Sequence, residues 1–131
     1  MRRREWLQRR SWLMAQLAAL PRQSTAALLA LAEKLSQARE DLPDALALIA
    51  SWIRDLAVAR HAPASLIHQD LREVLVEISQ TMSLEALTSA MRALQDARQR
   101  IQANANPRLT LEALFVKMST PCQTRNLLPG H

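Results

Sequence analysis

The side chains in this sequence best suited to catalysis or metal binding are three histidines, His61, His68 and His131, and a single cysteine, Cys122. Nucleophilic catalysis needs a serine or cysteine held within hydrogen-bond reach of a base. His61 and His68 flank a loop, His131 is terminal, and Cys122 falls in a stretch with no apolar period, so the pattern predicts capping or surface roles for the histidines and no catalytic pair. The acidic pairs Glu40 with Asp41 and Glu73 with Glu77 are the candidate metal ligands. Glu73 and Glu77 stand four apart on one helical face, yet Arg72 is beside them and no histidine lies at ligand spacing, which predicts a solvated face. The lone cysteine leaves no disulfide framework and no Cys/His spacing suits a metal, consistent with a reducing cytoplasm. A phosphate-binding loop needs glycines followed by Lys-Ser/Thr, and the one glycine, Gly130, has no such sequel. Neither a cofactor nor a small-molecule substrate is expected.

Charge is the remaining chemical resource. The net is +5, but Arg2, Arg3, Arg4, Arg9 and Arg10 against Glu5 account for +4 of it within the first ten residues, leaving the rest of the chain almost neutral. A dedicated nucleic-acid binder gathers its cations along one face of the folded body, which this distribution does not predict. Trp6 and Trp12 interleave the arginines, so a basic helical adaptor gripping phosphate through this segment stays open as an alternative. With Trp52, these tryptophans are too scattered for a base-stacking platform. Basic residues other than Lys34 and Lys117 are all arginine, a residue that serves protein contacts as readily as phosphate. Arg9-Arg10-Ser11-Trp12-Leu13-Met14 superficially matches a twin-arginine export signal, but Gln16 and Pro21 interrupt the apolar run and no small-residue cleavage site follows. No segment reaches the ~18 apolar residues of a membrane span.

The elements that would position these residues are all helices. The chain has 131 residues, enough for one domain, with one glycine, no tyrosine and abundant Ala, Leu, Arg and Gln. The first helix is expected over about Arg2 to Leu20, with Trp6, Leu13, Leu17 and Leu20 on one stripe, ended by Pro21. Ser24 caps a second carrying Leu28, Leu31 and Leu35. A third, about Pro43 to His61, has Leu46, Ile49, Trp52, Ile53 and Leu56 around most of its circumference, which marks it as the central one. A fourth runs from about Asp70 to Met82. Ser83 caps a fifth, whose seam reads Leu84, Leu87, Met91, Leu94 and Ile101. The sixth, about Pro107 to Met118, follows the turn Asn104-Ala105-Asn106-Pro107, in which asparagines tolerate left-handed backbone and proline opens a helix. The expectation is an all-α, compact bundle of about six helices over 1–118, with 119–131 a flexible tail.

Two motifs carry a resemblance. Asn104-Ala105-Asn106-Pro107-Arg108-Leu109-Thr110-Leu111-Glu112-Ala113-Leu114-Phe115 is similar to the closing motif of the C-terminal domains of bacterial clamp-loader delta-prime subunits, an Asn-x-Asn-Pro-x-Leu turn feeding a Leu-rich helix. Ile49-Ala50-Ser51-Trp52-Ile53-Arg54-Asp55-Leu56 resembles that family's buried helix, and the turn at Leu66 to Leu71 follows in order. The resemblance covers about Met14 to Met118. It implies a non-catalytic assembly domain of the DNA polymerase III clamp loader, one of five collar domains packed in a ring during DNA replication. The implied partners are delta and gamma/tau through collar contacts, with DNA touched indirectly. The sibling collar of gamma/tau remains an alternative identity. The ATPase region of such a subunit, with its phosphate loop, any zinc module and its inter-subunit arginine, has no counterpart here and is not carried over, so the chain reads as part of a longer subunit. The residues expected at the interfaces with neighbouring subunits are Arg54, Arg92, Arg98, Arg108 and Glu112.

Overall fold

A computed structural model gives the structure of the chain, describing backbone over residues 3–127 and side chains over residues 7–119. It is all-α: α1 Arg3–Ala19, α2 Thr25–Ser36, α3 Leu42–Ala59, α4 Arg72–Ser79, α5 Leu84–Gln102 and α6 Pro107–Leu127, with no strand among the described residues. Single 3₁₀ turns at Leu20–Arg22, Arg39–Asp41, Pro63–Ser65 and Gln69–Leu71 make most of the connections. Among the described residues no helix is long and apolar enough to cross a membrane.

The helix starts follow capping chemistry. Ala27 N–H donates to Ser24 Oγ at 3.2 Å and Ala86 N–H to Ser83 Oγ at 3.0 Å, so both predicted caps satisfy an amide that the first turn leaves unpaired. At the α5–α6 corner Asn104 takes φ of 63°, and Ala105 N–H closes back on Arg100 O at 2.8 Å, the left-handed ending that asparagine tolerates. Asn106 Oδ1 then accepts from Leu109 N–H at 3.0 Å, capping the helix that Pro107 opens. Arg39 reaches across to bond Asn104 Oδ1 at 3.1 Å, which ties this corner to the turn before α3.

α3 is the central helix. Leu42, Leu46, Ile49, Trp52, Ile53 and Leu56 are buried on it, and it packs against α1, α2, α4 and α5. α6 lies against α2 on one side and α5 on the other, burying Leu111, Leu114 and Phe115. Of the stripe expected on α1, Leu13, Leu17 and Leu20 are buried, while the Trp6 side chain lies outside the described residues.

Three boundaries or faces differ from the sequence reading. The fourth helix is shorter, because Gln69–Leu71 is a 3₁₀ turn and Gln80 ends α4. α6 continues past Met118 to Leu127, although the apolar period stops there and Pro121 has no N–H to give the preceding turn. Leu84 is not part of the α5 seam but 73% exposed. The buried face of α5 is Leu87, Ala90, Leu94 and Ala97, and at 3.6 residues per turn Leu84 stands about 100° round the helix from it.

Candidate functional site

One polar cluster gathers the residues with chemical potential. Asp55, fully buried on α3, accepts the backbone N–H of Ile67 at 2.9 Å and of His68 at 2.8 Å, and Arg54 Nη1 at 3.0 Å. This draws the 66–71 segment onto α3 and carries His68 inside with it. His68 is only 4% exposed, so the expected surface or capping role gives way to a buried one. Its two partners lie 17 and 58 residues away in sequence, which is why local pattern gives no sign of it.

The donors fix the tautomer. Arg10 Nη2 stands 2.6 Å from His68 Nδ1, and since a guanidinium only donates, Nδ1 is the acceptor and Nε2 carries the proton. Nε2 donates to Ser51 Oγ at 2.7 Å, and Ser51 in turn donates to Leu48 O at 2.7 Å. A serine beside a histidine suggests a nucleophile and base, but the geometry opposes that chemistry. A catalytic histidine is oriented by a carboxylate that stabilises the imidazolium; here a cation occupies that position. Burial, and then the Arg10 charge, hold His68 below the ordinary imidazole range, outweighing the opposite pull of Asp55 and Asp70. Asp70 pairs with Arg10 at 3.2 Å, and that hydrogen bond keeps its carboxyl below the usual carboxylate range. The cluster therefore locks α1 and the 66–71 segment to α3. Gln69 Nε2 adds bonds to Ala64 O and Leu66 O at 3.0 Å each, stiffening the same loop. Arg60 bonds Ser79 O through Nε at 3.1 Å and Nη2 at 2.8 Å, and also Met82 O, covering the carbonyl end of α4. Among the described residues no group of three or more His, Cys, Asp or Glu could hold a metal ion.

The five residues expected at interfaces with neighbouring subunits do not form one patch. Arg54, though exposed, already donates to Asp55 and to Ser65 O at 3.2 Å. Arg108 and Glu112 face each other along α6, 3.7 Å apart, roughly opposite the side that meets α5. Arg98 is half-buried on the far flank of α5. Arg92 alone lines a groove of about 760 Å³ between α5 and α6.

That groove is an open concavity of the described surface. Ala93, Ala97, Ala113 and Leu114 line it, Arg92 and Lys117 flank it, and Leu84 stands at one end beside Glu85. Asp96 is neutralised by Arg100 at 2.8 Å on the same wall. Neither Arg92 nor Lys117 has an ion-pair partner among the described residues. The sequence could have pointed to Lys117, one of two lysines, and to Leu84, had alanine been counted as core.

Residues 4–120 match the family model described as DNA polymerase III, delta subunit, C terminal. No curated protein and no solved structure matches the chain. Since the family match spans most of the sequence, the chain belongs to this family, as a clamp-loader-related domain. The C-terminal domain of this family is a non-catalytic assembly domain of the clamp loader in DNA replication.

Proposed function

We propose that this member of the family of DNA polymerase III delta C-terminal domains is the assembly domain of a delta-prime subunit, packing in a collar beside the corresponding domains of delta and gamma/tau in the cytoplasm. The family match over residues 4–120 carries the reading. The choice of delta-prime is supported by the Asn104 to Phe115 and Ile49 to Leu56 motifs, which form the α5–α6 corner and the buried centre of α3. Residues 1–118 act as the assembly unit, and Arg54, Arg92, Arg98, Arg108 and Glu112 are its proposed contact residues. Among these, Arg92 has the most to offer a partner, because Arg54 is already bonded within the chain and Arg108 faces Glu112.

The basic-adaptor alternative loses two of its cations. Arg9 pairs with Asp41 at 3.3 Å and Arg10 with Asp70 at 3.2 Å, so neither is free to meet phosphate without giving up an internal partner. The deciding experiment is light scattering after size exclusion, with this chain alone and then mixed with the delta and gamma/tau collar domains of the same clamp loader. A stable mixed complex is the expected result. Absence of association at moderate salt, together with DNA binding that falls steeply with salt, would replace the assembly role with the adaptor.

A further inference from the structure

We infer that the α5–α6 groove receives an amphipathic helix of a neighbouring subunit, seated by a narrow apolar stripe and aligned by carboxylates that meet Arg92 and Lys117. The inference rests on the assembly reading and names the partner chemistry of its contact surface. Alanines along the groove let a second helix approach closely, since the spacing of packed helices is set by side-chain size at the contact. Leu84 is the most exposed of the large hydrophobic side chains among the described residues and offers an apolar anchor at one end. The polar groups along the walls are largely satisfied from within: Thr88 Oγ1 donates to Leu84 O at 2.9 Å, Thr110 Oγ1 to Asn106 O at 2.8 Å, and Asp96 holds Arg100. What remains uncompensated is charge of known sign and place. Arg92 on α5 and Lys117 on α6 are like charges lining one concavity, an arrangement that a carboxylate between them relieves. Glu85 lies seven residues before Arg92, about 10 Å along the helix axis. The complementary helix therefore carries its acidic residues about two turns from a neutral or basic end, and this order sets its direction in the groove.

The test measures binding of the full chain to the delta and gamma/tau collar domains as salt is varied. Arg92→Glu/Lys117→Glu is the test variant and Arg22→Glu, on the turn after α1, the control, with melting curves checking that both fold. The double reversal is expected to weaken association about tenfold or more and to flatten its salt dependence, while the control binds as the parent does. A benzophenone placed at Ser89→Cys in a Cys122→Ser background should cross-link to a partner segment bearing Asp or Glu at helical spacing. Unchanged affinity of a folded double reversal overturns the groove inference while leaving the assembly reading intact, and so does a cross-link to a second copy of this chain. Failure of the unaltered chain to associate overturns the assembly reading, and this inference falls with it.

Discussion

Replacing Asp55 by asparagine tests whether the buried carboxylate organises the loop before α4. The carboxylate accepts two backbone amides, Ile67 N–H at 2.9 Å and His68 N–H at 2.8 Å, together with the Arg54 guanidinium at 3.0 Å. Asparagine keeps the volume but supplies one oxygen, so its amide nitrogen must face at least one of these donors. A hydrogen bond to a charged group contributes about 1.5–3 kcal/mol, and a buried donor left unmatched costs about 1–3 kcal/mol. Losing one such bond and weakening the others to neutral strength gives a destabilisation of roughly 2–4 kcal/mol. With a urea slope of about 1–3 kcal/mol/M, the unfolding midpoint should fall by roughly 1–2 M. Asp55→Ala, which strands every donor, should cost more, about 3–5 kcal/mol. Urea unfolding followed by tryptophan fluorescence measures the total. Hydrogen exchange at the Ile67 and His68 amides locates it, because protection should drop there before it drops in α5. A change below about 0.5 kcal/mol with both amides still protected would refute the claim that Asp55 holds the loop.

Trp52→Ala, emptying a fully packed site at the centre of α3, should cost about 3–5 kcal/mol in the same assay; a melt like the parent's would remove α3 from the core. Stability should be complete above pH about 6.5 and decline as pH falls through the lower folded-state value of His68, because the unfolded chain then binds a proton that the folded imidazole, facing Arg10, refuses. His68→Gln should flatten that part of a melting-temperature profile, and an unaltered slope would contradict the assignment. Asn104→Gly should stay within about 1 kcal/mol of the parent, whereas Asn104→Val should lose about 1–2 kcal/mol or more at a positive φ. Ser83→Ala should cost about 1 kcal/mol and fray the first turn of α5, readable as faster exchange at Ala86.

What can be read from the sequence is whatever depends on neighbours within a turn or two. Ser24, Ser83 and the Asn104–Pro107 corner declare themselves because a cap acts over three residues, and leucine spacing in α2, α3 and α6 exposes their buried faces. Leu84 escapes this logic for a related reason. Leucine spacing alone puts it on the α5 seam, whereas Ala90 and Ala97 complete that seam and leave Leu84 outside it. The polar cluster is invisible on different grounds. Asp55 meets His68 across a loop and Arg10 meets it from another helix, and no periodicity encodes a contact made at 58 residues' separation.

The same distinction bears on which charges serve a partner. Judged by type alone, Arg54 and Arg92 are equivalent candidates, each on a helix and each half of a possible ion pair. In the fold they differ in what has already been taken from them. The described cations of α1 through the end of α3 are largely engaged: Arg9 with Asp41, Arg10 with Asp70 and His68, Lys34 5.0 Å over the Trp12 ring, Arg54 with Asp55, and Arg60 with the end of α4. A partner that reached for these would have to replace bonds the domain makes for itself, so the gain on binding would be small. Among the described residues Arg92 and Lys117 carry no such prior claim, and they border an alanine-lined groove with an exposed leucine at its end. A contact made there adds interactions without dismantling any, which is the energetic condition an assembly surface must meet and the reason the α5–α6 side, rather than the arginine-rich first helix, is where a neighbour should bind.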